Sequence, residues 1–245
     1  MIKTPQILFL LFCLFSFNGI SQEINSPKQI EIRKADVGIY DKSLGKNAQK
    51  LIGNVEVEHD GSILRCDSAY LYGDKNSMDA YGHVHIQMSD SLELYGDKLY
   101  YDGNSRIAEV HQSVRLIDKK LTLYTDELIY KRNEKLGEYF IWGRVVDSAN
   151  VLTSKKGRFY TELNEVFFND SVVLVNKEQT LKTDSLHYHT TFKTVDFKGR
   201  TTIEGDSTFM YAESGFHNTA TDYTRLKRHA FMQDRANTLS GDSLY

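Results

Sequence analysis

Apolar and polar residues alternate along most of this chain, and the alternation breaks at regular intervals. In residues 53–57 and 82–86, apolar side chains stand two positions apart behind a glycine, with polar side chains between them. Because side chains two apart lie on the same face of a β-strand, the pattern predicts short strands with one apolar face. Polar turn residues such as Asp60 and Gly61 separate one strand from the next.

The second strand of each unit contains an acidic or polar position, here called a corner. Successive corners are 29 or 30 residues apart, and a fixed period of this size indicates one supersecondary unit stacked on copies of itself. The corners, each with the small residue before it, are Cys66-Asp67, Gly96-Asp97, Thr125-Asp126, Ser154-Lys155, Thr183-Asp184, Ala212-Glu213 and Gly241-Asp242.

Each corner predicts a bend. Leu94 and Leu99 flank Asp97 and are five positions apart, so in a regular strand they would face opposite sides. If both face one interior, the backbone bulges or turns between them, and the strand passes from one sheet into another. We expect the corner carboxylates to accept hydrogen bonds from nearby backbone amides. The structural corners assigned in this way are Asp67, Asp97, Asp126, Asp184 and Asp242.

Two segments depart from the regular repeat. Residues 35–40 have the form of an earlier, degraded unit. At the fourth corner Lys155 replaces the acid and Gly157 follows, so we expect that unit to be irregular. In-register stacking would place Lys155 between Asp126 and Asp184, where it would relieve like-charge repulsion.

Residues 1–21 have the features of a cleaved signal peptide. Lys3 precedes a mostly apolar run over residues 7–17, and the small residues Gly19 and Ser21 precede the expected cut. Residues 22–245 then form one repeat domain. The sequence stops within a predicted strand, so we expect either further repeats after Tyr245 or an edge that is paired by another chain.

Composition and charge limit the classes of ligand and chemistry that the chain is expected to have. Without Lys3 the chain has 29 basic and 33 acidic residues, which does not suit a nucleic-acid partner. Cys66 is the one cysteine outside the signal peptide, so no internal disulfide is expected. His83 and His85 lie two apart, but no third metal ligand of matching spacing follows. No catalytic motif, metal site or cofactor site is predicted, and aromatic rows suit glycan binding or ordinary cross-strand pairing.

Several short segments in register resemble the OstA-like family. They are residues 51–55 (LIGNV), 64–70 (LRCDSAY), 82–84 (GHV), 94–100 (LYGDKLY) and 125–130 (TDELIY). This family includes the periplasmic lipopolysaccharide-transport protein LptA and the N-terminal domain of LptD. The resemblance implies an all-β, elongated, open β-jellyroll of stacked repeats of about 29 residues, two strands each. It also implies a non-enzymatic periplasmic protein with lipopolysaccharide as its ligand.

The same resemblance implies how such a protein assembles. Family members join edge strand to edge strand, so LptC-like and LptD-like jellyroll proteins are the expected partners, together with end-to-end self-association. The acyl chains of the lipid would lie against inward apolar residues. The candidates are Val55, Val57, Leu64, Val84, Ile86, Leu94, Leu99, Tyr101, Val114, Leu116, Leu123, Leu128, Tyr130, Val172, Leu174, Leu181, Leu186 and Tyr188.

Periodicity alone does not separate a lipid groove from a plain core, so alternatives stay open. The chain could be a structural or adhesive β-repeat module without lipid cargo, which predicts a closed and fully packed interior. It could also be the periplasmic part of a larger outer-membrane assembly protein. A polysaccharide-acting β-solenoid enzyme ranks third, because it would require clustered carboxylates or basic residues on one face.

Overall fold

The computed structural model describes residues 28–89, 91–119 and 121–245. The predicted signal peptide lies outside these residues. The described chain is all-β, as expected: 18 antiparallel strands form one continuous sheet in which nearly every strand pairs with the next. The strands are β1 (Glu31–Lys34), β2 (Val37–Tyr40), β3 (Ala48–His59), β4 (Ser62–Tyr72), β5 (Ser77–Gln87), β6 (Leu92–Asp102), β7 (Ile107–Asp118), β8 (Leu121–Lys131), β9 (Leu136–Tyr139), β10 (Gly143–Val146), β11 (Val151–Ser154), β12 (Lys156–Tyr160), β13 (Glu165–Val175), β14 (Gln179–His189), β15 (Thr194–Gly205), β16 (Phe209–Asn218), β17 (Tyr223–Gln233) and β18 (Thr238–Leu244). Within the described ranges, helical structure is limited to one 3-10 turn, Arg132–Glu134.

Each long strand bends near its middle, and the bend explains the odd spacing at the corners. Leu94 and Leu99 of β6 are both buried, whereas Asp97 between them is exposed. On the neighbouring β5, Gly82 and His83 together face Asp97 alone, and both have positive φ. Two residues against one is a β-bulge, and it bends and twists the pair of strands. The predicted bend is confirmed, but the extra residue lies on the strand beside the acid.

The bulges recur in every regular unit and form a row across the sheet. This row divides the sheet into two layers that face each other. Layer A contains the strand halves that meet at turns such as Asp60-Gly61, and layer B contains the halves that meet at turns such as residues 73–76. The small residues before the corner acids point into the bend. At Gly96, for example, a Cβ would collide with the side chain of Val110. The bulge pairs are residues 53–54, 82–83, 112–113, 170–171, 199–200 and 228–229.

The fourth unit is irregular, as Lys155 predicted. Its two long strands are each broken at the bend, into β9 and β10 around residues 140–142, and into β11 and β12 around Lys155. The effect of Lys155 on the repulsion between the corner acids stays a prediction. In strand order, Lys155 does lie between Asp126 and Asp184. Its Nζ lies 3.5 Å from Asp170 Oδ2, and its backbone N–H donates to Asp170 O at 2.9 Å, so it pairs with the adjacent bulge.

The degraded first unit is also present. Strands β1 and β2 flank a corner at Asp36, and they pair with the two halves of β3 in layers A and B. The stack therefore extends from residue 31 to residue 244 in the same pattern.

Candidate functional site: an apolar interior closed along a slit

The residues predicted as lipid-groove candidates converge on the space between the two layers. Tyr101 is half-buried, and its hydroxyl lies 2.7 Å from His59 Nδ1. The other candidates are at most 5% exposed and belong to one continuous apolar cluster. They are Val55, Val57, Leu64, Val84, Ile86, Leu94, Leu99, Val114, Leu116, Leu123, Leu128, Tyr130, Val172, Leu174, Leu181, Leu186 and Tyr188.

Large aromatic residues complete this interior, and the sequence reasoning did not single them out. Phe159, Phe168 and Phe197 are almost fully buried between the layers. Tyr139 fills the bend of the irregular fourth unit: its hydroxyl lies 2.7 Å from Ser154 Oγ, and burial raises its pKa to about 12. Their positions follow the same two-residue alternation as the candidates, so the signal was present in the strand pattern.

Two of the corner acids contact the neighbouring bulge from outside the interior. Asp184 Oδ2 accepts a hydrogen bond from the backbone N–H of Arg200 at 3.1 Å, and Asp67 Oδ2 lies 2.7 Å from His83 Nδ1. Each contact reaches a residue of the bulge on the following strand. Asp97 and Asp126 differ, because no described residue hydrogen-bonds to their carboxylates.

Two rows of turns, one from each layer, meet on the side opposite the bend. We call the line between them the slit. Among the residues that bridge it, Gln179 and Asp222 are 43 positions apart in the chain, and Asp147 and Lys193 are 46 apart. A turn of layer A and the next turn of layer B are only about half a repeat apart in the chain. These two bridges span about one and a half repeats, so each one reaches a turn of layer B that lies one repeat further along. Sheet twist accounts for this offset, since twisted layers cross at an angle.

A charge cluster closes the N-terminal part of the slit. Asp60 of layer A lies 2.8 Å from Arg106 and 3.8 Å from Arg132, both of layer B, and 3.3 Å from Lys28. Burial opposes ionisation of the Asp60 carboxyl, but these cations outweigh it and lower its pKa. Arg132 also donates to the carbonyl oxygens of His59 and Asp60. Four charged groups therefore hold the two sides of the slit together here.

A second bridge lies further along. Asp147 is buried in the turn after β10, where it accepts hydrogen bonds from Tyr188 Oη at 2.7 Å and Lys193 Nζ at 3.1 Å. The backbone N–H groups of Ala149 and Asn150 donate to its other oxygen, each at 2.8 Å. Burial opposes the charge, but these donors prevail and lower the pKa of Asp147 to about 2. Asp147 is therefore a stable anion that ties layer A to layer B.

Between these two bridges, Lys119 Nζ of layer A lies 3.4 Å from Asn164 Oδ1 of layer B. Asp118 lies there with its carboxyl largely buried, and burial raises its pKa although Lys119 opposes the shift. Two cavities of about 260 and 270 Å³ lie on either side of Asp118 and Lys119. Leu121 and Phe159 line one of them, so the apolar interior reaches the slit at this point.

Each end of the sheet has an edge that no described strand pairs. At one end, β1 and β2 expose Val37, Ile39 and Tyr40 to solvent. At the other end, β18 pairs with β17 on one side, and its residues are almost all exposed. Unpaired edges of this kind are able to accept a strand from another chain.

In the described ranges, no group of three or more His, Cys, Asp or Glu side chains is arranged to hold a metal ion. None of the helical segments described there has the length and apolar character of a membrane span.

Comparison with known proteins places this architecture in a family. The model of the family described as "OstA-like protein" matches residues 27–184, which is more than half of the chain. Among solved structures, the chain is similar to LptH of Pseudomonas aeruginosa, described as the LptA homologous periplasmic component of a lipopolysaccharide transport device. The identity is 15%, the match covers 53% of this chain and 76% of that one, and the TM-score is 0.24. No curated protein matches the chain. The family match and the repeat geometry agree, and the chain belongs to the OstA-like protein family.

Proposed function

We propose that this protein is a non-enzymatic periplasmic carrier or bridge segment that shields the acyl chains of lipopolysaccharide between its two layers. The observation that carries the proposal is the apolar interior, which forms one continuous cluster from Ile30 to Ala230. Removing acyl chains from water is worth about 0.8 kcal/mol per CH₂, so a long apolar interior supports such binding. A row of equivalent sites would also let a bound lipid move along the stack.

In the described state the interior is filled by the protein's own side chains, so acyl chains require the layers to part. The slit is the line along which they part at least cost, because polar bridges rather than apolar packing join its two sides. The section at Asp118 and Leu121, where the apolar interior reaches the slit, is the expected point of entry. The lipid's sugars and phosphates would then stay in water outside the slit.

The exposed edges support a second element of the proposal, which is assembly with other jellyroll transport proteins. Strand addition to β2 or β18 would extend the sheet and continue the interior into the next molecule. Pairing of this kind would put LptC-like or LptD-like proteins, or a second copy of this chain, at the two ends. The chain would then form one section of a longer periplasmic path.

Site-specific photocrosslinking in cells tests the lipid proposal. A photoreactive residue at Leu123 on β8 or at Leu186 on β14 would face the interior. One at Glu127, also on β8, would face solvent. We expect lipopolysaccharide adducts from Leu123 and Leu186 and not from Glu127. Adducts from Glu127 alone would rule out the interior as the lipid site.

A second candidate function is a structural repeat module without lipid cargo, and the dense packing of the interior favours it. Leu94, Leu116 and Leu123 are completely buried by protein atoms. This candidate predicts that no lipopolysaccharide copurifies with the protein and that no interior position gives a lipid adduct. The same crosslinking experiment therefore separates the two functions.

A further inference from the structure

The outer face of layer A carries a groove that the lipid proposal does not use. It has a volume of about 860 Å³ and crosses β5, β6, β7, β8, β10 and β11 beside the row of bulges. With strands about 4.8 Å apart, six strands make the groove about 24 Å long. One wall consists of outward side chains of layer A, and the other consists of corner and bulge residues.

The first wall is an ordered ladder of aromatic and basic side chains. In strand register, His85 faces Tyr95, Tyr95 faces Arg115, and Tyr124 lies between Arg115 and Arg144. The His85 ring stacks parallel to Tyr95 at 4.4 Å, and the guanidinium carbon of Arg115 lies 4.5 Å from the centre of the Tyr95 ring. These contacts hold the side chains in place, so a ligand would bind with little loss of side-chain freedom. Tyr124 remains 42% exposed.

The second wall contains the single tryptophan of the chain. Trp142 occupies a bulge position where regular units have small or polar residues such as Asn54, His83 and Ser113. Its φ is 30°, a backbone conformation that is costly for a bulky side chain. The indole is nevertheless 59% exposed. An exposed aromatic ring held in a strained position is typical of a recognition site rather than of packing.

The groove also has hydrogen-bonding groups that the fold leaves unused. Asp97 and Asp126 line it, and their carboxylates receive no hydrogen bond from any residue in the described part of the chain. The corresponding acids outside the groove, Asp67 and Asp184, are both hydrogen-bonded. Arg115 and Arg144 supply donors on the opposite wall. These two carboxylates and two guanidinium groups together carry no net charge.

This combination fits one ligand class. The C–H face of a sugar ring packs on the electron-rich face of an indole or phenol ring, and sugar hydroxyls bond to carboxylates and guanidinium groups. A polyanion would be repelled by Asp97 and Asp126, and an apolar segment would leave their charges desolvated. We propose that the groove formed by Tyr124, Trp142, Asp97, Asp126, Arg115 and Arg144 is an oligosaccharide-binding site. It is separate from the interior, so it does not depend on acyl-chain binding.

Lipid-free sugars test this site without involving the lipid proposal. Cellotetraose and mannotetraose would be titrated into the whole protein and followed by calorimetry and by tryptophan fluorescence. Because Trp142 is the one tryptophan, the fluorescence change reports on this groove alone. We expect saturable binding of at least one sugar with a Kd of about 1 mM or tighter and a matching change in fluorescence. Failure of both sugars to bind overturns the proposal.

Two variants and one matched control locate the binding. Tyr124→Ala and Asp126→Asn alter exposed groove residues, and each is expected to weaken sugar binding about tenfold or more. Tyr100→Ala removes a tyrosine of nearly equal exposure, 41%, from layer B outside the groove, and we expect it to leave binding unchanged. Unchanged binding in both groove variants, or an equal loss in Tyr100→Ala, places the sugar elsewhere and overturns the assignment. Circular dichroism of each variant verifies that the fold is retained.

Discussion

The hydroxyl of Tyr188, which lies on the interior side of layer B, donates a hydrogen bond of 2.7 Å to Asp147 in a turn of layer A. The same carboxylate binds Lys193, so one anion joins an interior residue and a slit residue to the opposite layer. A movement of Asp147 at the slit therefore also disturbs Tyr188 in the interior. Parting the layers at this point requires separating Asp147 from both partners.

Asp147→Asn tests this bridge. The pKa of Asp147 in the folded protein is about 2, below its ordinary value of 3.8, so ionisation favours the folded state. This contribution, about 2 kcal/mol, is fully present above pH 4 and is lost as the pH falls towards 2. We expect the variant to be less stable at neutral pH by about that amount. Its free energy of unfolding should also fall less steeply as the pH is lowered from 4 to 2. Urea unfolding at several pH values measures both effects.

The matched control for that variant is Asp196→Asn, which neutralises an exposed carboxylate on β15. Its stability is expected to change by less than about 0.5 kcal/mol. If the two variants lose stability equally at every pH, Asp147 does not form the bridge described here.

Gly82→Ala tests the contact between the bulge and the corner acid. A Cβ at Gly82 would lie within 2.3 Å of Asp67 Oδ2, and the residue has a φ of +75°. Gly61 has a similar φ of +80° but open space around its missing Cβ, so Gly61→Ala measures the backbone cost alone. We expect Gly61→Ala to cost about 1 kcal/mol and Gly82→Ala clearly more in thermal or urea unfolding.

A second change separates steric conflict from backbone strain at the same site. Adding Asp67→Ala to Gly82→Ala removes the atoms that the new Cβ would meet, and we expect part of the lost stability to return. If Gly61→Ala and Gly82→Ala cost the same stability, and the double variant recovers none of it, then Asp67 does not exclude a Cβ at position 82.

Leu123→Ala tests whether the interior is a packed core in the absence of lipid. Leu123 is completely buried, so its truncation should cost about 2–5 kcal/mol. Glu127→Ala on the solvent side of the same strand serves as the control and should have little effect. A cost below about 1 kcal/mol for Leu123→Ala would indicate that the interior is loosely filled in solution.

Ile39→Lys tests the edge at β2. Ile39 is 48% exposed on a strand that pairs only with β3 among the described strands. A lysine on an edge strand opposes strand addition, so we expect end-to-end association to weaken in sedimentation velocity experiments over a range of concentrations. Phe192→Lys changes a more exposed apolar residue in a turn and is expected to leave association unchanged. The reverse result would place the contact at the turns.

Much of the fold follows from local pattern. The positions of Leu94 and Leu99 around Asp97 predicted both the bend and the inward face, because a strand has a side-chain period of two and any odd step requires a break. The same logic placed Leu123, Leu128, Leu181 and Leu186 inside. It did not place the bulge on the neighbouring strand, because register between two strands depends on both partners.

The slit and the groove could not be predicted in the same way. Asp147 and Lys193 are 46 residues apart, and they meet only because the twist of the layers shifts one row of turns by a repeat relative to the other. Lys155 also forms an ion pair with Asp170 of the adjacent bulge, a contact that the spacing of the corners did not indicate. Asp97 and Asp126 look identical to Asp67 in sequence, and only the structure separates the bonded acids from the unbonded ones.

The amino-acid sequence by itself determined the strands, their period and the apolar face of each one, because these properties depend on residues close together in the chain. The tertiary structure alone decided how the two layers close on each other, where charges bridge the slit, and which outward side chains line up across six strands. Those features arise from sheet twist and strand register, which bring together residues from separate repeats that no local pattern relates.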